Sequence, residues 1–161
     1  MNDNQMEKSL KYNSWQRLIV AFLLIAFLQT ACLPKSTRVM LNGQSMEPNF
    51  ADGQIFNVVQ VPLSELQRGD LVLVEIDGNQ LLKRLIGLPG ETISIHDGKV
   101  FVNGEPLVEA YETIPPPYTM EEIKLDNDSY FVLGDNRPAS YDSHMWGPLK
   151  GSGIKGKATP W

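Results

Sequence analysis

The sequence predicts a mostly β protein, an irregular antiparallel sheet or barrel, preceded by a single membrane-spanning helix. Three observations lead there. From Arg38 onward short β-rich runs alternate with turn signals, and no stretch holds a long 3.6-residue period. The dipeptides Asp77-Gly78, Asp97-Gly98 and Asn103-Gly104 separate several of those runs; such pairs accept positive φ at low cost and mark tight hairpin turns. Residues 18–28, by contrast, are apolar without interruption.

Taken in order, residues 1–14 form a polar tail without periodicity, read as cytoplasmic. The apolar run extends through Gln29-Thr30-Ala31-Cys32-Leu33 to Pro34, giving 16 residues from Leu18 and 19 from Trp15. A spanning helix wants about 20 residues, with tilt or flanking side chains absorbing a shortfall. Residues 15–33 therefore read as the helix, with Trp15 at the interface and Arg17 snorkelling beside it. A cleaved signal peptide and a lipid anchor at Cys32 are competing readings, the latter with Gln29 where an aliphatic residue is usual. All three place residues 34–161 outside the cytoplasm. Lys8, Lys11 and Arg17 before the run, against Lys35 and Arg38 after it, favour an inside amino terminus.

Within residues 34–161 the predicted strands are 38–41, 55–61, 71–76, 80–88, 92–95, 99–102 and 130–133. Short strands with hairpin links imply a barrel or sandwich rather than an α/β fold. Residues 110–124 contain Pro115-Pro116-Pro117, which bars a central strand and predicts an extended surface excursion. The end of the chain, from Gly151, reads as a glycine-rich tail.

Composition removes whole classes of function. A formal charge of −5 with no Lys/Arg block argues against a nucleic-acid partner. The single cysteine cannot form an internal disulfide, so the core must hold the fold. His96 and His144 stand far apart and no Cys/His spacing suits zinc. No metal or cofactor is called for. Oligomeric state is not legible.

Chemistry concentrates on two residues. Ser45 lies in the turn after the first strand, within Gly43-Gln44-Ser45-Met46-Glu47-Pro48. Lys83 lies in Gln80-Leu81-Leu82-Lys83-Arg84-Leu85-Ile86, where alternation puts Leu81, Lys83 and Leu85 on one face. Burial among leucines lowers an amine's pKa, and a neutral lysine is one of the few side chains able to deprotonate a serine. Each residue alone has a plainer reading, a turn serine bonding its own backbone and a lysine snorkelling to water. A serine–histidine triad has little support, since His96 adjoins a hairpin turn and His144 has no evident orienting carboxylate context. The match of Ser152-Gly153-Ile154-Lys155 to a Ser-x-x-Lys pattern lacks every companion signature and is chance.

A set of motifs in fixed order decides between these readings. The segment Gly43 to Pro48 resembles the Ser-Met-x-Pro box of type I signal peptidases. Arg68-Gly69-Asp70-Leu71-Val72 is similar to the strand box that follows. Lys83-Arg84-Leu85-Ile86-Gly87-Leu88-Pro89-Gly90-Glu91 resembles the lysine box almost letter for letter. Asp97 to Gly104 with Glu109-Ala110-Tyr111 is similar to a family hairpin. Gly134-Asp135-Asn136-Arg137, then Ser140, Asp142, Ser143 and Trp146-Gly147, resembles the final box. The likeness covers roughly residues 40–155 and accounts for the preceding apolar segment.

The resemblance implies a serine endopeptidase that removes signal peptides from exported preproteins, with preprotein and lipid membrane as its partners. Ser45 would be the nucleophile and Lys83 the general base and later acid. Ser140 would orient the lysine amine, the Ser45 backbone N–H would donate to the oxyanion, and Met46 would help keep the pair dry. Asp142 would pair with basic residues behind the lysine, Arg84 being the expected partner. Two residues depart from the pattern: His144 stands where arginine is usual, so that its pair with Asp142 or Asp135 would be weaker and pH-dependent, and Gly43 stands where some members carry a hydroxyl. A specialised maturation peptidase with one or few substrates, and a non-catalytic membrane-anchored peptide-binding β-domain, are the alternatives.

Overall fold

Three two-residue turns shape the β domain. Asp77, Asp97 and Asn103 adopt φ of 50°, 52° and 52°, and the glycines that follow adopt 77°, 71° and 81°. Two successive positive φ values give a hairpin whose twist matches that of its strands. The structure, a computed structural model, describes residues 36–161. The expected spanning helix 15–33 and the tail 1–14 lie outside the described residues. Among the described residues no helix is long and apolar enough to cross a membrane.

The strands are β1 (Ser36–Met40), β2 (Ile55–Val59), β3 (Leu71–Ile76), β4 (Asn79–Gly87), β5 (Thr92–His96), β6 (Lys99–Val102), β7 (Glu105–Pro106), β8 (Met120–Lys124), β9 (Ser129–Leu133), β10 (Leu149–Lys150) and β11 (Ile154–Pro160). They form a seven-stranded sheet ordered β1-β2-β11-β3-β4-β9-β10 and a four-stranded sheet ordered β7-β6-β5-β8. Each ladder is antiparallel. A short helix, Ser143–Trp146, sits between β9 and β10.

Two segments depart from the sequence reading. The excursion 110–124 ends as β8, at the edge of the smaller sheet, where its missing partner is tolerated. The supposed glycine-rich tail is instead β11, inserted between β2 and β3. Its small residues hid it from a propensity argument, yet they let it fit: a Cβ on Gly156 would stand 2.6 Å from the Val59 carbonyl oxygen.

Both faces of β3 are buried. Leu71 and Leu73 join Leu41, Met46, Phe56, Val58, Leu82 and Ala158 in one cluster. Val72 and Val74 join Leu66, Leu85, Tyr130, Val132 and Leu149 in a second. A third, centred on Ile86, Ile93, Ile95, Phe131 and Leu133, fastens the smaller sheet to β4 and β9. Lys83 pairs in register with Val72 and so shares a face with the second cluster.

The pairing of β4 is what creates a site. It pairs with β3 along Asn79 to Arg84, but with β9 only from Arg84 to Gly87. Among the described residues, one edge of residues 79–83 is therefore unpaired, and β1, the terminal strand of its sheet, has a free edge as well. Four antiparallel steps separate β1 from β4, so the two run in the same direction.

Candidate active site

A groove of about 400 Å³ lies between these edges, lined by Val39, Met40 and Leu41 from β1 and its exit, by Gln80, Leu81, Leu82 and Lys83 from β4, and by Ser45. Ser45 reaches it because the connection from β1 to β2 is tightly closed. Leu41 and Gln54 exchange a backbone bond of 2.8 Å at its base. Met46, wholly buried, anchors the loop in the first cluster. Gly43 makes the turn at φ 87°, its N–H donating to Asp52 Oδ1 at 2.7 Å. That backbone favours glycine, which accounts for the absence of a hydroxyl side chain at this position.

Lys83 Nζ donates to Ser45 Oγ at 2.9 Å. The lysine is only 2% exposed. Burial lowers its pKa to about 8, against the opposing pull of the Asp142 and Asp135 carboxylates. A large fraction of the amine is then neutral in mildly alkaline solution. In that form the same contact can run in reverse, the serine O–H donating to the nitrogen lone pair, which is the geometry a general base requires.

The segment after β9 walls the site from behind. Asn136 N donates to the Ser45 carbonyl at 3.0 Å, and Asn136 Nδ2 donates to the Gln44 carbonyl at 3.1 Å. Gly134 packs so tightly that a Cβ there would stand 2.4 Å from Ser45 O and 2.3 Å from Ser140 Oγ. Ser140 is thus beside the nucleophile's backbone. The anticipated bond from its hydroxyl to the lysine amine is not formed, and the buried Ser140 Oγ has no hydrogen-bond partner among the described residues.

The carboxylate pairing corrects the sequence expectation. Arg84 pairs with Asp135, not Asp142: its Nε and Nη2 donate to Asp135 Oδ1 and Oδ2 at 3.1 and 2.5 Å. Asn49 Nδ2 adds a further bond to Asp135 Oδ2 at 2.8 Å. The Arg84 guanidinium also lies over the Tyr111 ring, 4.0 Å from its centroid. Asp142 instead accepts from Gly134 N at 2.9 Å and meets His144 Nδ1 at 2.7 Å. A buried arginine demands a carboxylate, but two aspartates in one box satisfied that demand equally on paper. Asn49 carried no signal, and Tyr111 stood in a recognised motif without any hint of its contact with Arg84, because each acts through a contact distant in sequence.

A family described as "Signal peptidase, peptidase S26" matches residues 12–161. The chain is 37% identical over 124 residues to a probable signal peptidase I-2 of Synechocystis sp., covering 71% of this chain and 57% of that protein. It is 32% identical over 151 residues to signal peptidase I T of Bacillus subtilis, covering 85% and 77%. The chain therefore spans little more than half the length of the Synechocystis relative. The crystal structure of a signal peptidase I from Enterococcus faecalis aligns with a TM-score of 0.50 at 33% identity, over 59% of this chain and 97% of that one.

Proposed function

The chain belongs to the signal peptidase family, peptidase S26, and we propose that it is a membrane-bound serine endopeptidase that cuts signal peptides from exported preproteins. The observation that carries this reading is the 2.9 Å contact between a buried lysine amine and a serine hydroxyl within an open groove. Ser45 Oγ attacks the scissile carbonyl while neutral Lys83 takes its proton. The tetrahedral oxyanion is met by the Ser45 backbone N–H. On collapse Lys83 returns the proton to the leaving amine, and water then attacks the acyl-enzyme through the same base. Asp142, Ser140, Arg84 and Met46 support this pair rather than touch the substrate.

The groove suits an extended peptide. The free edges of β1 and β4 run in one direction, so a single strand can bond to both at once and complete the sheet. The family resemblance implies small side chains, such as alanine, one and three positions before the cut. Residues 15–33 would span the membrane once and hold residues 34–161, the peptidase domain, on its extracytoplasmic side, with 1–14 in the cytoplasm. A preprotein cleavage assay with the full chain tests the reading. Cleavage is expected from the native enzyme and none from Ser45→Ala or Lys83→Ala, each still folded. Turnover by either variant overturns the dyad.

A further inference from the structure

We propose that His144 is a positioning residue for the Ser45–Lys83 pair, which fixes the buried Asp142 carboxylate and, by taking up a proton, cancels that carboxylate's charge beside the lysine. The inference rests on the dyad reading above.

The chain of contacts is short. The short helix places His144 two residues after its N-cap, Asp142, which takes two bonds from it: the backbone N–H at 3.2 Å and Nδ1 at 2.7 Å. Asp142 is wholly buried, and its other oxygen accepts from Gly134 N at 2.9 Å. Gly134 is the residue wedged against Ser45 O and Ser140 Oγ. His144 thus holds the carboxylate that holds the backbone on which the nucleophile rests.

The His144 ring is itself immobilised, stacked on Tyr118 at 4.0 Å and 12°. Its side chain keeps 18% of its surface open, a route for a proton from solvent. The charged and titratable groups around it are few. Asp142 bonds to it directly. Tyr118 stays a neutral phenol, since burial raises its pKa. The Arg137 charge acts on Tyr118, and the Asp142 and Asp135 charges act on Lys83. The anion of Asp142 favours the charged lysine and so opposes the base. An imidazole changes charge in the physiological pH range. When protonated it neutralises Asp142, and Lys83 gives up its proton more readily just where acidity would otherwise silence it.

The test compares the pH dependence of kcat/KM for the native full chain, His144→Asn and His144→Arg. Asparagine keeps a donor at the Nδ1 position but takes no proton; arginine is a permanent cation. The native acid limb is expected to fall less steeply than tenfold per pH unit. The asparagine variant should fall by the full tenfold, its deficit widening to about threefold or more by pH 6. The arginine variant should carry its limb to lower pH. Superimposed limbs, or an asparagine deficit equal at every pH, overturn the proposal. An NMR titration of the Lys83 amine needs no substrate and separates this inference from the peptidase reading. The native curve should be broader than a single proton's, and the asparagine curve simple. A simple native curve refutes the coupling even if the enzyme is active.

Discussion

At the scale of single residues, Lys83 joins stability to reactivity. Its pKa stands at about 8 in the fold against 10.5 for the free side chain, so the folded state resists protonation. Above pH 10.5 the amine is neutral folded or unfolded. As pH falls from there to 8 the unfolded chain gains a proton that the fold refuses, and stability drops by about 3 kcal/mol before levelling. Denaturant unfolding of native protein and Lys83→Met between pH 7.5 and 10.5 should show their difference changing by that amount, in favour of the native chain at high pH. A pH-independent difference would mean the lysine is not desolvated. The rate of peptide cleavage should rise through pH 8 as the base becomes neutral. Arg84 has the opposite character: it is charged throughout and acceptable in the interior because Asp135 meets it with two bonds.

At the scale of elements, the end of β9 matters most. Gly134 sits where three things meet: the Ser45 carbonyl, the Ser140 hydroxyl and the Asp142 carboxylate. Gly134→Ala would drive a methyl group into Ser45 O, so the nucleophile must shift. Cleavage should fall by about 100-fold or more, the order expected for an ångström of misplacement, with kcat affected more than KM. Thermal unfolding should also drop. Unchanged kcat in this variant would show that the wall behind Ser45 is compliant. The turns were legible from Asp77-Gly78, Asp97-Gly98 and Asn103-Gly104 because two-residue hairpins have a local chemical requirement. The strands β8 and β11 were not. One follows a proline run, and the other consists largely of small and charged residues whose place depends on strands far away in sequence.

At the scale of the whole molecule, β11 ties the carboxyl-terminal segment to the middle of the larger sheet. It lies between β2 and β3, and Trp161 N bonds to Ile55 O at 3.1 Å. Deleting residues 154–161 would expose two ladders and the buried Ala158 side of the first cluster. The truncated chain is expected to lose cooperative unfolding and cleavage together. A folded, active truncation would show that β11 is dispensable. The same arrangement opens the groove: β1 and β4 stand at either end of a five-strand run, with free edges left for a sixth.

Sequence alone determined the β class, the hairpins, and Ser45 and Lys83 as the residues of interest. Each follows from local rules, namely alternation, turn chemistry and the cost of a lysine among leucines, supported by five motifs in order. Only the tertiary structure decided that the amine lies 2.9 Å from the hydroxyl, that Arg84 takes Asp135, and that Asp142 is left to His144 and Gly134. Those are choices among chemically equivalent partners. A charge does not specify which opposite charge it meets; the packing of strands brought together from distant parts of the chain does.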